Sequence, residues 1–301
     1  MSIEFIILEL IIALIFFGAL KTKVLTLGGG LAAIFVGTLI SLSGFEYFII
    51  LASFFLSSSK ATNIHKKLKT QLLGKTYLKD KKRNAIQVFA KSLFPSIICL
   101  IIYKKYGVGM NLFSITENND KTKLFLDALF IGFFESANAD TWASELGISS
   151  NNLPKLILYG FKTVPKGING AISTYGTLCS IQGGLFISLV VVICNIFRYG
   201  FLKFLKFDKV IILISIKIFI LGGIIGFIGS LIDSLLGQTV QLSIYNETKK
   251  CVIEKESEKE AKENGDELKY YGKDILNNTG VNTITGLITS LISAYITIKI
   301  L

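Results

Sequence analysis

The chain has 301 residues, of which 51% are hydrophobic and 18% are charged, and its formal net charge is +11. With a mean hydropathy of +0.59 it is too apolar for a soluble domain of this size. One histidine and four cysteines without a C-x-x-C pair leave little material for a zinc site, a histidine-based triad or a disulfide framework. Chemistry in this chain must therefore rest on carboxylates, amides, hydroxyls and lysines.

Long uncharged runs alternate with lysine-rich segments, which predicts a single all-α, polytopic membrane domain over residues 1–301. The first run starts at Phe5 without a basic segment before it, so we expect a permanent helix and not a cleaved signal peptide. About eight spans are predicted, the third and fifth of them short: 4–20, 27–43, 45–57, 86–103, 122–137, 171–197, 208–229 and 282–300. The sixth is interrupted by "QGG" at 182–184 and is one long helix or two short ones, of which we favour the single helix.

Residues 58–85 are predicted to form a basic cytoplasmic loop. The segment is rich in lysine and contains a single acid, Asp80. Because cytoplasmic loops carry an excess of Lys and Arg, this loop sets the predicted orientation of the spans. The basic residues lie in short loops between spans. We therefore attribute the positive net charge to cytoplasmic loops and to attraction to anionic lipid headgroups, and not to nucleic-acid binding.

The stretch "ESANADTWASELG" at 135–147 follows an apolar run and carries Glu135, Asp140 and Glu145. As a helix it would be polar almost all round, which does not suit a lipid-facing position. The interleaved alanines favour close helix packing over a helix end that is simply solvated. Without histidine or paired cysteine, these carboxylates suit a hard cation such as Mg²⁺, or they line a proton or cation path.

Glycines are clustered in "VPKGINGAISTYGT" at 164–177, next to Lys166. Gly167 and Gly170 allow backbone N–H groups to approach an anion, and a helix is predicted to begin just after them. The spacing is not that of a Walker motif. The segment is therefore either an anion-binding turn or an ordinary turn.

The stretch "GGIIGFIGSLIDSLLGQTVQ" at 222–241 places Gly222, Gly226, Gly229 and Asp233 on one helix face. The glycines predict close packing against another helix. Because Asp233 continues the same stripe, it is predicted to lie on a packed face together with the neighbouring Ser234.

Other polar segments are predicted to share the cytoplasmic face with these stretches. They are "SSSKATNIHKK" from Ser57, "RNAIQVFAKS" from Arg83 and "NNTGVNTITG" from Asn277. Several weak signals on one face together indicate a site. Residues 241–275, in contrast, are mixed in charge with few apolar anchors, and are predicted to form a polar, partly disordered loop without a chemical role.

Taken together, these motifs resemble those of the membrane family that includes phytyl-phosphate kinase and transmembrane protein 19. The resemblance covers nearly the whole chain and lies in "LTLGGGLAAIFVG", "FFLSSSKAT", "RNAIQVFA", "ANADTWASELG", "VPKGINGAIS", "GSLIDSLLGQTVQ" and "ILNNTGVN". The chain departs from the family at "INGA" (168–171) and "ILNN" (275–278), where Thr-Asn-Gly-Gly and Leu-Asp-Asn-Asn are more usual. The resemblance implies CTP-dependent phosphorylation of an isoprenoid monophosphate.

On this hypothesis carboxylates hold Mg²⁺, basic groups neutralise phosphates, and amides orient the substrate or nucleotide. The predicted metal ligands are Asp140, Glu145, Asp233 and Glu135, and the first three form the predicted catalytic set with Lys166. The predicted substrate- and nucleotide-binding residues are Lys60, Arg83, Asn84, Ser144, Gly167, Asn169, Gly170, Ser234, Asn278 and Asn282. The expected partners are the bilayer and the isoprenoid phosphate, and the glycine-rich helices permit a homo-oligomer.

Three other functions would use the same residues. A lipid cytidylyltransferase would release pyrophosphate in place of CDP, a transporter would use the carboxylates as a cation path, and a structural membrane protein would have no turnover. No clear internal repeat is seen, and inverted repeats would favour a transporter. Apolar helices do not identify the isoprenoid tail, and they fit an endoplasmic reticulum or a plastid-type membrane equally.

Overall fold

The computed structural model describes residues 11–14, 17–22, 24–72, 82–107, 113, 120–199 and 209–301. The helices that follow the helical turns at 11–14 and 17–21 are α1 (Leu27–Ser41), α2 (Phe45–Asn63), α3 (Lys66–Leu72), α4 (Ala85–Tyr106), α5 (Lys121–Gly147), α6 (Thr174–Tyr199), α7 (Lys209–Val240), α8 (Glu258–Glu263) and α9 (Asn278–Ile300). The strands are β1 (Lys155–Leu156), β2 (Lys162–Thr163), β3 (Ser243–Asn246), β4 (Cys251–Ile253) and β5 (Leu268–Tyr271).

Four of the described helices are long and apolar enough to cross a bilayer: α4, α6, α7 and α9. The predicted helical, multi-pass architecture is confirmed, the number of spans stays a prediction, and the interrupted span at 171–197 is the single helix α6. The helices at the third and fifth predicted spans are longer than expected, at 19 and 27 residues. They extend because their polar last turns remain helical, a feature that a hydropathy boundary does not detect.

Two predicted segments are described only in part. The first predicted span, 4–20, is represented by residues 11–14 and 17–20. Residues 73–81 of the predicted basic loop lie outside the described residues, and the rest of that loop contains the end of α2 and the whole of α3. The loop is therefore partly helical.

Helix α5 lies at the centre of the bundle and packs against α2, α6, α7 and α9. Its middle turns are buried on all sides, with Phe130 and Phe134 fully inaccessible, as expected for a helix that is apolar all round. Near its start, Lys123 Nζ lies 2.6 Å from Asp127 Oδ1, and Tyr47 donates a hydrogen bond of 2.5 Å to the same oxygen. This buried pair satisfies its own charges at the opposite end of α5 from the polar stretch 135–147.

The glycine stripe of α7 packs directly on α5 and α6, as the sequence predicts. A Cβ atom at Gly226 would lie 2.8 Å from the Cα atom of Gly184. A Cβ atom at Gly229 would lie 2.2 Å from the hydroxyl oxygen of Ser136. The close approach brings the last turns of α7, including Asp233, against the polar end of α5.

Gly226→Ala is expected to lower the free energy of unfolding by about 1–3 kcal/mol, the range for overpacking a close contact. The added methyl group would meet the backbone of α6, which cannot move without shifting the helix. Gly28→Ala is the matched control, because a Cβ atom at Gly28 meets nothing within 4 Å. Thermal unfolding of both variants in one detergent measures the difference, and equal melting temperatures would contradict this packing.

Residues 241–275 contain a small folded unit, which corrects the prediction of a partly disordered loop. Strand β3 is central and pairs antiparallel with both β4 and β5. Lys249 Nζ lies 2.7 Å from the Asp266 carboxylate, and the Asn246 amide donates to it at 2.8 Å. These two contacts lower the pKa of Asp266 from its usual value. The strands are short and rich in charge. The segment is ordered because its strands pair with one another, which its composition does not reveal.

Candidate functional site

A cavity of about 770 Å³ lies at one end of the helical bundle. The last turns of α5 and α7, the first turns of α4, α6 and α9, and the connection between α5 and α6 form its wall. These are the polar helix ends that the sequence predicts to share one membrane face. The structure therefore brings them together in a single cavity.

An acid pair, Asp140 of α5 and Asp233 of α7, lines this cavity. The two carboxyl groups are close enough to interact directly with each other. Thr285 of α9 also donates a hydrogen bond of 3.2 Å to Asp233 Oδ1. Two carboxyl groups in contact repel unless a proton or a cation is shared between them. The acid pair is thus the part of the cavity that requires a bound proton or cation.

Two basic side chains lie beside the acid pair. Lys91 of α4 is close enough to Asp140, Asp233 and Glu145 for electrostatic attraction, and Arg83 is close to both Lys91 and Glu145. A charged side chain inside an apolar helix needs such partners, and by default marks a functional position. The cavity therefore presents two positive charges next to two carboxyl groups, which suits an anionic ligand together with a cation.

Arg83 is held in place by the segment that precedes α1. Its N–H donates to the Val24 carbonyl (2.9 Å), and its carbonyl accepts from the Thr26 N–H (3.1 Å). Gly29 is needed beside it, because a Cβ atom there would lie 2.2 Å from the Arg83 carbonyl oxygen. Burial lowers the pKa of the Arg83 guanidinium and Glu145 raises it, yet an arginine stays charged at neutral pH. The "LTLGGG" motif thus positions the positively charged Arg83.

The glycine-rich segment 164–172 is fixed against α7 and against β3. Gly170 has a left-handed φ of +72°, and a Cβ atom there would lie 2.3 Å from the Ser234 carbonyl oxygen. Gln238 donates a hydrogen bond of 2.9 Å to the Gly170 carbonyl, and the Asn169 N–H donates to Ser243 Oγ at 3.0 Å. Gly170 is therefore required for packing, and its predicted role as an anion donor stays a prediction.

Most of the residues predicted from the sequence line this one cavity: Arg83, Asp140, Ser144, Glu145, Lys166, Gly167, Asn169, Gly170, Asp233, Ser234, Asn278 and Asn282. Further polar residues also line it, among them Thr62, Lys91, Asn152, Ser173, Gln241 and Thr279. Lys91 approaches Asp140, Asp233 and Glu145, which lie far away along the chain, so no local pattern identifies it.

Three predicted residues, Lys60, Asn84 and Glu135, are not among those that line the cavity. Lys60 is exposed on α2. The Asn84 side chain accepts a hydrogen bond of 3.0 Å from the Gln87 N–H, and so caps the first turn of α4. Glu135 is buried against α6, where it accepts a hydrogen bond of 2.5 Å from Ser188. The side chains of Asn84 and Glu135 therefore have structural contacts within the fold.

Glu145 lines the cavity but is engaged by a buried lysine. Lys69 of α3 is 1% exposed, and its ammonium group lies 2.5 Å from Glu145 Oε2. The same ammonium donates to the carbonyls of Ala61 and Thr62, both at 3.2 Å. Within the described residues, no three carboxylate, histidine or cysteine side chains are grouped so that they could hold a metal ion. In this arrangement Glu145 is paired with Lys69 and Glu135 does not line the cavity, so their predicted role as metal ligands stays a prediction.

Glu145→Gln is expected to lower the free energy of unfolding by about 3 kcal/mol, because it leaves Lys69 buried without its counter-charge. The double variant Lys69→Met/Glu145→Gln should recover most of this loss, since no isolated charge remains. Thermal unfolding of the wild type and both variants measures the two effects. A double variant as unstable as Glu145→Gln would show that the pair does not act as a unit.

The acid pair fits Mg²⁺ without a third carboxylate. Magnesium sites in phosphoryl-transfer proteins usually use one or two carboxylates, with water and substrate phosphates as the remaining ligands. The contact between Asp140 and Asp233 supplies two carboxyl groups that need a shared positive charge. The residues present are therefore compatible with a magnesium ion at the acid pair.

The bundle of apolar helices with a charged cavity at one end defines an integral, multi-pass membrane protein. The chain belongs to the family described as integral membrane protein DUF92, whose profile matches residues 10–290. It is 31% identical over 291 residues to Protein PGR of Arabidopsis thaliana, which covers 97% of this chain and 95% of that protein. It is 30% identical over 195 residues to uncharacterized membrane protein MJ0933 of Methanocaldococcus jannaschii, or 64% of this chain and 65% of that protein. No solved structure matches the chain.

Proposed function

We propose that the chain is a membrane phosphotransferase that uses CTP to convert an isoprenoid monophosphate into the diphosphate at the cytoplasmic face. The observation that carries this proposal is the acid pair, Asp140 and Asp233, next to Lys91 and Arg83 in one cavity. Phosphoryl transfer depends on positioning and charge neutralisation, with little covalent work for the protein. The choice of CTP and of an isoprenoid tail follows from the motif resemblance.

The cavity is of a suitable size for two phosphorylated ligands. Its volume of about 770 Å³ lies in the upper part of the range for small-molecule sites, roughly 300–1,000 Å³. It reaches from the helix ends to the connection between α5 and α6, which carries Lys166. One region can thus take a nucleotide while the acid pair takes the phosphate of a lipid.

Each group of cavity residues has a role in this reaction. Arg83 and Lys91 neutralise the oxygens of the lipid phosphate, and Lys166 neutralises those of the nucleotide. Asn278 and Asn282, one turn apart at the start of α9, orient the ligands through their amides. Magnesium held by Asp140 and Asp233 would supply the positive charge that the transferred phosphoryl group requires.

A turnover assay on the purified protein in detergent tests the proposal. The assay contains Mg²⁺, a panel of isoprenoid monophosphates, and CTP or ATP in parallel reactions. We expect isoprenoid diphosphate and CDP as products. Release of pyrophosphate would identify a cytidylyltransferase in its place. Absence of any product from a folded protein would contradict the proposal and favour a transporter that uses the acid pair as a cation path.

A further inference from the structure

A second, apolar groove adjoins the cavity and shares three residues with it. This tail groove has a volume of about 90 Å³ and lies between α1, α2 and α4. Its apolar wall includes Ala33 and Gly37 of α1 together with Ala52 of α2. Arg83, Gln87 and Lys91 line both the tail groove and the polar cavity. The two spaces therefore meet at a wall that carries the cations assigned to phosphate.

Where the two spaces meet, positively charged side chains lie directly beside aromatic rings. The Arg83 guanidinium carbon lies 5.7 Å from the centre of the Phe55 ring, and Lys91 Nζ lies 6.0 Å from the centre of the Phe54 ring. Both rings line the tail groove. A ligand at this point would meet positive charge on one side and aromatic faces on the other, which matches a phosphate joined to a hydrocarbon.

We propose that the tail groove binds the first isoprene unit of an isoprenyl monophosphate whose phosphate lies against Arg83 and Lys91. This inference rests on the proposed function and adds the position of the lipid within the bundle. The volume limits how much of the tail is enclosed, since an apolar protein cavity of about 150 Å³ takes one benzene molecule. On that scale the tail groove, at about 90 Å³, encloses about four carbon atoms, which is most of the first isoprene unit, and the remaining tail lies in the bilayer.

This position predicts how the protein selects its substrate. The unit next to the phosphate is in contact with protein and is discriminated, whereas units farther away are in lipid and are not. Turnover should therefore change little between isoprenyl monophosphates of different length. A linear alkyl monophosphate lacks the methyl branch that fills the tail groove and should be a poorer substrate by about tenfold, the lower end of what a small change in an apolar pocket gives.

Ala33→Phe tests the position of the tail during turnover. The ring would fill the tail groove, so the KM for the isoprenyl monophosphate should rise at least about tenfold, while the KM for the nucleotide stays unchanged. Leu31→Phe is the matched control: it places the same ring two residues away on α1, at a side chain that is 59% exposed. Equal lipid KM values for Ala33→Phe and the wild type would overturn the inference.

Photolabelling separates this inference from the proposed activity, because it does not need turnover. The probe is farnesyl monophosphate with a diazirine on its first isoprene unit, used on the full-length protein in detergent. We expect label on α1 and α2 residues of the tail groove, lost on competition with unlabelled farnesyl monophosphate and unaffected by phosphatidic acid. Label elsewhere, no label, or equal competition by phosphatidic acid would overturn the inference. Label in the tail groove without turnover in the assay would instead contradict the kinase proposal alone.

Discussion

Asp140→Asn and Asp233→Asn are each expected to reduce turnover by about a thousandfold, the upper range for loss of one preorganised electrostatic group. The two carboxyl groups adjoin each other, so either substitution removes one of the two carboxylates that would hold a cation. Initial rates of isoprenoid diphosphate formation at saturating CTP and Mg²⁺ measure the effect. Both variants should insert and purify normally, because the loss of one charge relieves repulsion within the acid pair.

The two substitutions should not be additive. If the acid pair acts as one unit, the double variant Asp140→Asn/Asp233→Asn will be about as slow as either single variant. Glu135→Gln is the matched control, since it removes a carboxylate from the same helix but keeps an amide oxygen for the Ser188 hydroxyl to donate to. Its turnover should stay within about threefold of the wild type, as expected for a residue outside the site. Wild-type turnover in Asp140→Asn would remove the acid pair from the reaction.

The sequence predicts the architecture and the end of the bundle at which the cavity lies. Uncharged runs fix the helices, because backbone groups in lipid must be bonded within the helix. The glycines of α7 predict a packed face, and a carboxylate on a packed face needs a partner. Asp140 and Asp233 could thus be singled out separately from their local patterns. That they form a pair depends on how α5 and α7 pack, which no local pattern contains.

Contacts between distant segments explain where the structure departs from the arrangement that the sequence suggests. Glu145 is 76 residues away from Lys69 in the chain. The sequence therefore does not show that the Glu145 carboxylate is paired with a lysine in the folded protein. Glu135 and Asp140 are five residues apart, which at about 100° per residue turns them well away from each other on α5. The sheet at 241–275 was missed for a related reason, because its strands are short and pair with each other across a charged helix.

Lys91 is the reverse case, because its place in the site is evident from the structure and not from the sequence. Within "QVFAKSLF" it resembles a lysine that extends its side chain to the membrane surface. Lys60, in contrast, lies in a motif shared with the resembled family and was predicted to contact phosphate. The structure exposes Lys60 and places Lys91 among Asp140, Asp233 and Glu145. These two lysines therefore give opposite expectations for the same chemical change.

Lys91→Met is expected to lower kcat/KM for the isoprenyl monophosphate by at least about a hundredfold, the size of effect seen when one group that stabilises developing charge is removed. Methionine keeps the apolar length of the side chain, so packing against the Phe54 ring is retained while the charge is lost. Lys60→Met is the matched control and should stay within about twofold, because an exposed lysine contributes little. Steady-state kinetics with varied lipid at fixed CTP measures both.

The kinetic constant that changes shows whether Lys91 contacts the lipid substrate or only stabilises the fold. Because Lys91 lines both the cavity and the tail groove, its loss should raise the KM for the lipid more than the KM for CTP. Lys91→Arg, which keeps the charge, should recover part of the rate. A Lys91→Met protein with a normal lipid KM and reduced thermal stability would show that Lys91 only balances the charge of the acid pair. A larger loss of kcat/KM in Lys60→Met than in Lys91→Met would indicate that the phosphate binds at the end of α2, as the sequence motif predicts.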